Sequence, residues 1–223
     1  MTSQFQSDKA YTEIRKRILT QYYPTGSVLS VSDLSKNLKM SRTPVNVALR
    51  QLESDGLIQF IPRKGIIVRT FSKDDFFDCI EAIEALEGMS VYIITRGYAR
   101  GDIGEGLIDK MNDVISELDR FEAENNIPMW HEGDVQFHDI FVDFCPNNII
   151  KKTLRDVRNQ MLIGFGFFAP LYLNRDMSSN DHRSLVEAIK SHESEKAREI
   201  AQRHRRNARV NLRKLLQTGI GIQ

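Results

Sequence analysis

Apolar residues recur every three or four positions through most of the chain, the spacing of amphipathic helices. From Asp8 to about Thr20 the apolar positions are Tyr11, Ile14 and Ile18, with charges between them, and Pro24-Thr25-Gly26 ends the pattern. A short helix is expected at about Ser30 to Leu38. A longer one follows Met40, with Ser41 as N-cap and Pro44 in the first turn, where its missing N–H costs little. Val45, Ala48, Leu49 and Leu52 form its inward stripe, and Gly56 supplies the stop. Leu57 to Ile61 and Ile66 to Thr70 are short β-rich runs around Pro62-Arg63-Lys64-Gly65, which predicts a hairpin.

A new regime begins at Ser72. Ser72-Lys73-Asp74-Asp75 reads as a capping sequence for a helix running to about Arg100. Further helices are expected at about Asp102 to Glu124, Met129 to Phe144, Asn148 to Phe168, Asn180 to Ser191 and Glu193 to Gln217, punctuated by Gly101, Pro128, Pro146 and Pro170. The expected fold is mainly α, with an N-terminal winged helix-turn-helix domain over residues 1–71 and an all-helical bundle over 72–223.

Charge sharpens this division. Residues 1–71 carry 11 Lys and Arg against 5 Asp and Glu, and the remainder carries 20 against 25, so the two parts hold 11 − 5 = +6 and 20 − 25 = −5. A basic segment of this size suits a polyanionic partner, because Lys and Arg that neutralise phosphates release counterions. Cys79 and Cys145 have no paired spacing, which supports neither a disulfide framework nor a thiolate metal cluster and points to a reducing cytosol. The N-terminus lacks the regions of a signal peptide, and the uncharged stretch Met161 to Asn174 is too short and too broken by Gly164, Gly166 and Pro170 to span a bilayer. A cytoplasmic protein is expected.

With Val45, Leu49 and Leu52 facing inward, Arg42, Thr43, Asn46 and Arg50 fall on the outer side of the second helix of the helix-turn-helix, the side that enters a DNA major groove. Arg pairs there with guanine and Asn with adenine. Arg63 and Lys64 at the hairpin tip reach the minor groove or phosphates, and Gly65 permits close approach. A solvated charged face is the plain alternative for each residue alone. The helix spacing, basic hairpin and charge asymmetry together favour DNA reading.

The segments Tyr11-Thr-Glu-Ile-Arg-Lys-Arg-Ile-Leu, Pro24-Thr-Gly-Ser-Val-Leu-Ser, Ser41-Arg-Thr-Pro-Val, Ala48-Leu-Arg-Gln-Leu-Glu-Ser-Asp-Gly-Leu-Ile and Pro62-Arg-Lys-Gly resemble the DNA-binding domain of GntR-type transcriptional regulators. The family's helix usually reads Thr-Pro-Val-Arg-Glu-Ala-Leu, and its Arg contacts the operator. Asn46 and Val47 replace that Arg and Glu here, so the usual operator bases do not carry over.

In the second part, four polar residues fall on apolar stripes. Asp134 and His138 are one helical turn apart on a face continued by Phe141. His182 shares a stripe with Leu185, Val186 and Ile189, and His204 shares one with Ala197, Ile200, Ala201, Ala208 and Leu212. Each histidine alone reads as an ordinary buried side chain bonded to a neighbour. Together the four read as one site for a divalent transition metal, with Zn, Ni, Co, Mn and Fe(II) all suited to imidazole and carboxylate. His131 and His192 lie near helix ends and are expected at the surface.

This region resembles the FCD effector domain of the FadR-like branch of GntR regulators. Asp134-Val-Gln-Phe-His138 followed by Pro146-Asn-Asn, Asp181-His182-Arg-Ser-Leu-Val-Glu-Ala-Ile, and Ala197-Arg with His204 match its metal positions one by one, and Glu84-Ala-Leu-Glu-Gly resembles its opening signature. The Arg common three residues before that Leu is Ile83 here. The resemblance implies one metal ion per subunit in a pocket that binds a small carboxylate effector. With the Arg absent, Arg158 is a candidate to supply the positive charge, and a surface role is the alternative. Met161 to Phe168 and Met177 either line the pocket or fill the core.

The leading expectation is a homodimeric, metabolite-responsive transcriptional regulator on a pseudopalindromic operator in duplex DNA. A regulator that senses the metal itself is the nearer alternative. A metal-dependent hydrolase fused to a DNA-binding module is a further one, with Glu132 as conceivable base, although Glu132 is turned away from Asp134 by their spacing. A structural or interaction protein would need neither the basic face nor the ligand cluster.

Overall fold

A computed structural model describes the backbone of residues 3–70, 72–168 and 175–217, and side chains over most of these. The chain divides into two units, Met1–Phe76 with Arg158–Phe168, and Phe77–Val157 with Ala169–Gln223.

The first unit contains α1 (Ser3–Leu19), β1 (Val28–Leu29), α2 (Val31–Leu38), α3 (Arg42–Ser54), β2 (Ile58–Ile61) and β3 (Gly65–Val68). Its core gathers Ile14 and Ile18 of α1, Leu34 of α2, and Val45, Leu49 and Leu52 of α3, all essentially removed from water. Burial of each such side chain is worth about 1.5–3 kcal/mol. Ser30 caps α2 by accepting from the Asp33 N–H at 3.4 Å, and Lys39 closes it in the left-handed region. Ser41 stands at the N-cap of α3 in extended conformation without a side-chain cap bond, so only its backbone role matches expectation. The Tyr11 hydroxyl donates to Asp55 Oδ2 at 2.6 Å and ties α1 to the end of α3. Gly56, at φ +75°, turns the chain out of α3 into β2.

β2 and β3 form the expected antiparallel hairpin, with Ile58 opposite Val68 and Ile61 opposite Gly65. The two-residue strand β1 adds to the other edge of β3, giving the order β1-β3-β2. It is too short to leave a periodic signal. α1 begins five residues before the expected Asp8, because Ser3 to Ser7 lack the charged and apolar alternation that marks the rest of it.

The second unit is helical: α4 (Lys73–Ala99), α5 (Gly106–Ala123), α6 (Ile127–Asp143), α7 (Asn148–Phe168), α8 (Arg175–Lys190) and α9 (Ser194–Gln217), with residues 73–76 of α4 and 158–168 of α7 grouped with the first unit. α4 opens with the expected capping box: the Asp75 N–H donates to Ser72 Oγ at 3.0 Å, while the Ser72 N–H donates to Asp75 Oδ2 at 2.8 Å. The Ser72 hydroxyl and then the Ser72 N–H, both donating to the Asp75 carboxylate, hold it below its usual range. Asn126 caps α6, with Pro128 in its first turn. α5 packs closely on α6 because Gly133 leaves room for Leu118; a Cβ at Gly133 would lie 2.9 Å from Leu118 Cδ2. α5 starts four residues later than expected and α8 five residues earlier. α5 thus begins further from its bounding Gly101 than the apolar pattern implied, and α8 begins nearer to its bounding Pro170.

Candidate metal centre

The buried stripes of α6, α8 and α9 bring Asp134, His138, His182 and His204 together, one ligand atom from each lying within 4.8 Å of the others. His182 Nε2 is 3.5 Å from Asp134 Oδ1, and His138 Nε2 is 3.9 Å from the same oxygen. The three imidazole centroids are 5.0 to 5.5 Å apart. Phe137 stacks on His182 at 3.9 Å and 26°, which fixes the plane of that ring. His138 and His182 are 3% and 1% exposed.

Burial dominates the electrostatics. It pushes the His138 imidazole down to about 4, with the Arg205 charge adding to the shift and Glu87 and Asp134 opposing it. Burial likewise puts His182 well below its ordinary value. Both rings are therefore neutral at physiological pH, the form that binds metal. For Asp134 burial alone would raise the carboxyl, but His138, His182, His204 and Arg205 outweigh it and hold the group at about 2. The result is one carboxylate facing the neutral imidazoles of His138 and His182.

The donor set fits a divalent transition metal. Among the described residues, His138 Nε2 is buried and neither accepts nor donates a hydrogen bond, a costly arrangement for a polar atom unless something else satisfies it. A cavity of about 10 Å³ borders the cluster, lined by His138, Phe141, Asp181, His182, Leu185, Ile200, Ala201 and His204. That space is on the scale of one water-sized particle.

Three further residues belong to this centre and escaped sequence reading. Glu87 of α4 lies fully buried, with Oε2 at 3.2 Å from His138 Nδ1. Arg205 of α9 forks onto it, Nε to Oε2 at 2.6 Å and Nη2 to Oε1 at 2.7 Å. Burial would raise Glu87's carboxyl, but Arg205 and then His138 hold it well below the usual carboxylate range. Asp181 of α8 stands 3.6 Å from His204 Nδ1 and accepts from Arg203 at 2.8 Å. The signal that singled out the histidines was available for Glu87 too, because it interrupts the α4 stripe Ile80, Ile83, Val91, Ile94.

Other expected site residues fall as follows. Arg42, Thr43, Asn46 and Arg50 are exposed along α3, and Arg63, Lys64 and Gly65 are exposed at the hairpin tip. Arg63 at φ +66° and Gly65 at φ +93° shape that turn. Arg158 is half-buried on α7 among the residues grouped with the first unit, and is not among those lining the cavity beside the cluster. Ile83, standing where the family has an Arg, is buried. Residues 162–168 and Met177 lie outside the described side chains, so the question of their lining a pocket falls there too. His192 is exposed, whereas His131 is half-buried with its ring edge-on to Trp130, a departure from the expected surface position. Glu132 is exposed and is not among the clustered residues.

A helix-turn-helix with a β-hairpin wing, joined to a helical unit enclosing a His and Asp cluster, defines the class: a DNA-binding regulator with a separate effector domain. Residues 6–68 match the model of bacterial regulatory proteins of the gntR family, and residues 78–207 match the FCD domain. The chain belongs to the GntR family of DNA-binding transcriptional regulators, in the group that carries an FCD effector domain. It is 33% identical over 135 residues to an HTH-type transcriptional regulator from the TAR-I ttuE-ttuC' intergenic region of Agrobacterium vitis, covering 60% of this chain and 77% of that one. It is 23% identical over 222 residues to the HTH-type transcriptional regulator YdhC of Bacillus subtilis, covering 94% and 92%. Among solved structures it is similar in fold to E. coli McbR/YncC, with TM-score 0.73, 16% identity and coverage of 97% and 100%. These families and the related proteins are transcriptional regulators and not enzymes. Among the described residues no helix is long and apolar enough to cross a membrane.

Proposed function

We propose that the protein is a homodimeric, metabolite-responsive transcriptional regulator of the cytoplasm, in which residues 1–71 read the operator and residues 72–223 hold one divalent metal ion and a small carboxylate effector. The observation that carries the metal reading is the convergence of four ligand atoms from three helices within 4.8 Å. Asp134, His138, His182 and His204 would hold the ion. An ion with positions left open by four protein ligands supplies a Lewis-acidic docking point for a carboxylate. The protein's own part is to keep the His138 and His182 imidazoles neutral through burial, and to aim their rings inward through the Phe137 stack and the Glu87 contact.

On the DNA side, the exposed row Arg42, Thr43, Asn46 and Arg50 supports major-groove reading, and Arg63, Lys64 and Gly65 support wing contacts. A two-fold dimer presents two such helices to half-sites about one DNA turn apart. Effector binding that changes their relative placement by a coupling of about 1–3 kcal/mol alters operator affinity roughly 5- to 150-fold.

One observation favours metal sensing as a second reading. The cavity of about 10 Å³ beside the cluster suits a single ion or water and not an organic acid. Thermal shifts of the intact protein, with and without chelator and with a series of di- and tricarboxylates, separate the two. A metabolite sensor keeps its ion and responds to an acid, and a metal sensor changes operator binding with the ion alone. A protein that responds to neither contradicts both.

A further inference from the structure

A carboxylate removed from water is tolerated in a helical core only when its charge and lone pairs are met. Glu87 is met on two sides. Arg205 occupies both oxygens from α9 in a bidentate fork, and the His138 Nδ1 edge of α6 closes on Oε2 at 3.2 Å. That contact is close but falls short of hydrogen-bond geometry. At this distance in a dry core the negative oxygen still favours a proton on the facing nitrogen. Beyond Glu87 the same two helices continue as a surface ladder, with Arg206 on Glu84 and Arg209 on Glu81. Only the innermost rung touches a cluster residue. A second tie, from the Ser90 hydroxyl to the Phe141 carbonyl at 2.5 Å, holds α4 against α6 beside it.

We infer that Glu87, locked in place by Arg205, is a positioning residue of the metal centre: it keeps the His138 proton on Nδ1 and so presents Nε2, unprotonated, to Asp134, His182 and His204. This rests on the reading of the cluster as a metal site. A neutral imidazole carries one proton, and the nitrogen that holds it is decided by the partner of the other nitrogen. Without an acceptor at Nδ1 the proton is free to sit on Nε2, where it blocks ligation. Glu87 thus does more than clamp α4 to α9. It also makes the helix that follows the wing in sequence a contributor to metal affinity, since only residues 69–72 separate β3 from α4.

The test uses the full chain and cobalt(II) as probe, with histidine ring tautomers read by nitrogen-15 NMR in the metal-free protein. Glu87→Leu with Arg205→Leu removes the acceptor and leaves no uncompensated buried charge. Glu87→Met with Arg205→Met, closer in length to the native pair and equally without an acceptor, is read in the same way should that double variant fail to fold. Glu84→Gln perturbs the neighbouring rung without touching His138. The expected results are an Nδ1-protonated His138 in metal-free wild type, loss of that fixed tautomer in the Glu87 variants, cobalt affinity about 10- to 100-fold weaker in them, and near wild-type affinity in Glu84→Gln. Wild-type cobalt affinity and an unchanged tautomer in a folded Glu87 variant overturn the inference while leaving the metal site standing. Failure of wild type itself to bind cobalt overturns both.

Discussion

His182→Ala tests the metal centre with an internal control. The ring is 1% exposed, stacked on Phe137 at 3.9 Å and 3.5 Å from Asp134. Truncating it has two separable effects. The first is a packing loss, on the order of 2–3 kcal/mol for a large buried side chain cut to Ala, present with or without metal. The second is loss of metal linkage. An ion at about 100 times its dissociation constant stabilises the native state by about 2.7 kcal/mol. In a chain of this size each kcal/mol moves the melting temperature by about 2–4 °C, so metal should raise the wild-type Tm by roughly 5–11 °C. Differential scanning fluorimetry on metal-free and metal-loaded samples of both proteins reads the two effects apart. The metal-free Tm of the variant should fall, and its metal-dependent increment should vanish. Operator binding without effector should persist, since α3 and the wing are built from other residues. An increment of wild-type size in the variant would refute the reasoning, because it would place the stabilising ion elsewhere.

Arg42→Ala removes an exposed side chain from the recognition helix and should cost about 1–3 kcal/mol of operator affinity by fluorescence anisotropy, with unchanged folding; undiminished binding means that Arg42 touches neither base nor phosphate. Asn46→Arg should shift preference from adenine toward guanine at one operator position in a selection experiment, and unchanged specificity would remove Asn46 from the set of base readers. Burial and the Asp55 bond push the Tyr11 phenol up to about 12, above its ordinary 10. A raised phenol favours the protonated folded state, so its contribution is intact below pH 10 and is lost as pH climbs from 10 through 12. Tyr11→Phe should flatten that alkaline loss in denaturant titrations and lower stability at neutral pH by about 1 kcal/mol, whereas an identical alkaline profile would show that the bond carries no stability. Gly133→Ala drives a methyl into Leu118 and should destabilise by about 1–3 kcal/mol; a neutral effect would mean that α5 and α6 separate freely.

The helices were legible because their stripes, caps and stops agree with one another. Ser72 and Asp75 announced α4, and Val45, Ala48, Leu49 and Leu52 announced the inner face of α3. β1 was not legible, since a two-residue strand exists only through its pairing with β3. The four cluster residues could be read from the cost of polar groups on apolar stripes, which needs no knowledge of how helices pack. Arg205 could not, because its place beside Glu87 depends on the approach of α9 to α4. Glu87 carried the same stripe signal as the histidines, but a lone carboxylate has no partner visible in the local sequence. For Arg158 the sequence offered an effector role and a surface role, and chain order alone carried no signal that residues 158–168 of α7 group with the first unit.

Native mass spectrometry of the protein tests the central claim most directly, because one spectrum reports assembly, metal and bound acid. The protein is measured as purified, after chelation, and after chelation followed by Zn, Ni, Co, Mn or Fe(II). The account predicts a dimer carrying one divalent ion per subunit, emptied by chelator, refilled by at least one of these metals, and taking up a small carboxylate only when refilled. A dimer that stays at metal-free mass under every condition, with His138, His182 and His204 intact, would contradict it.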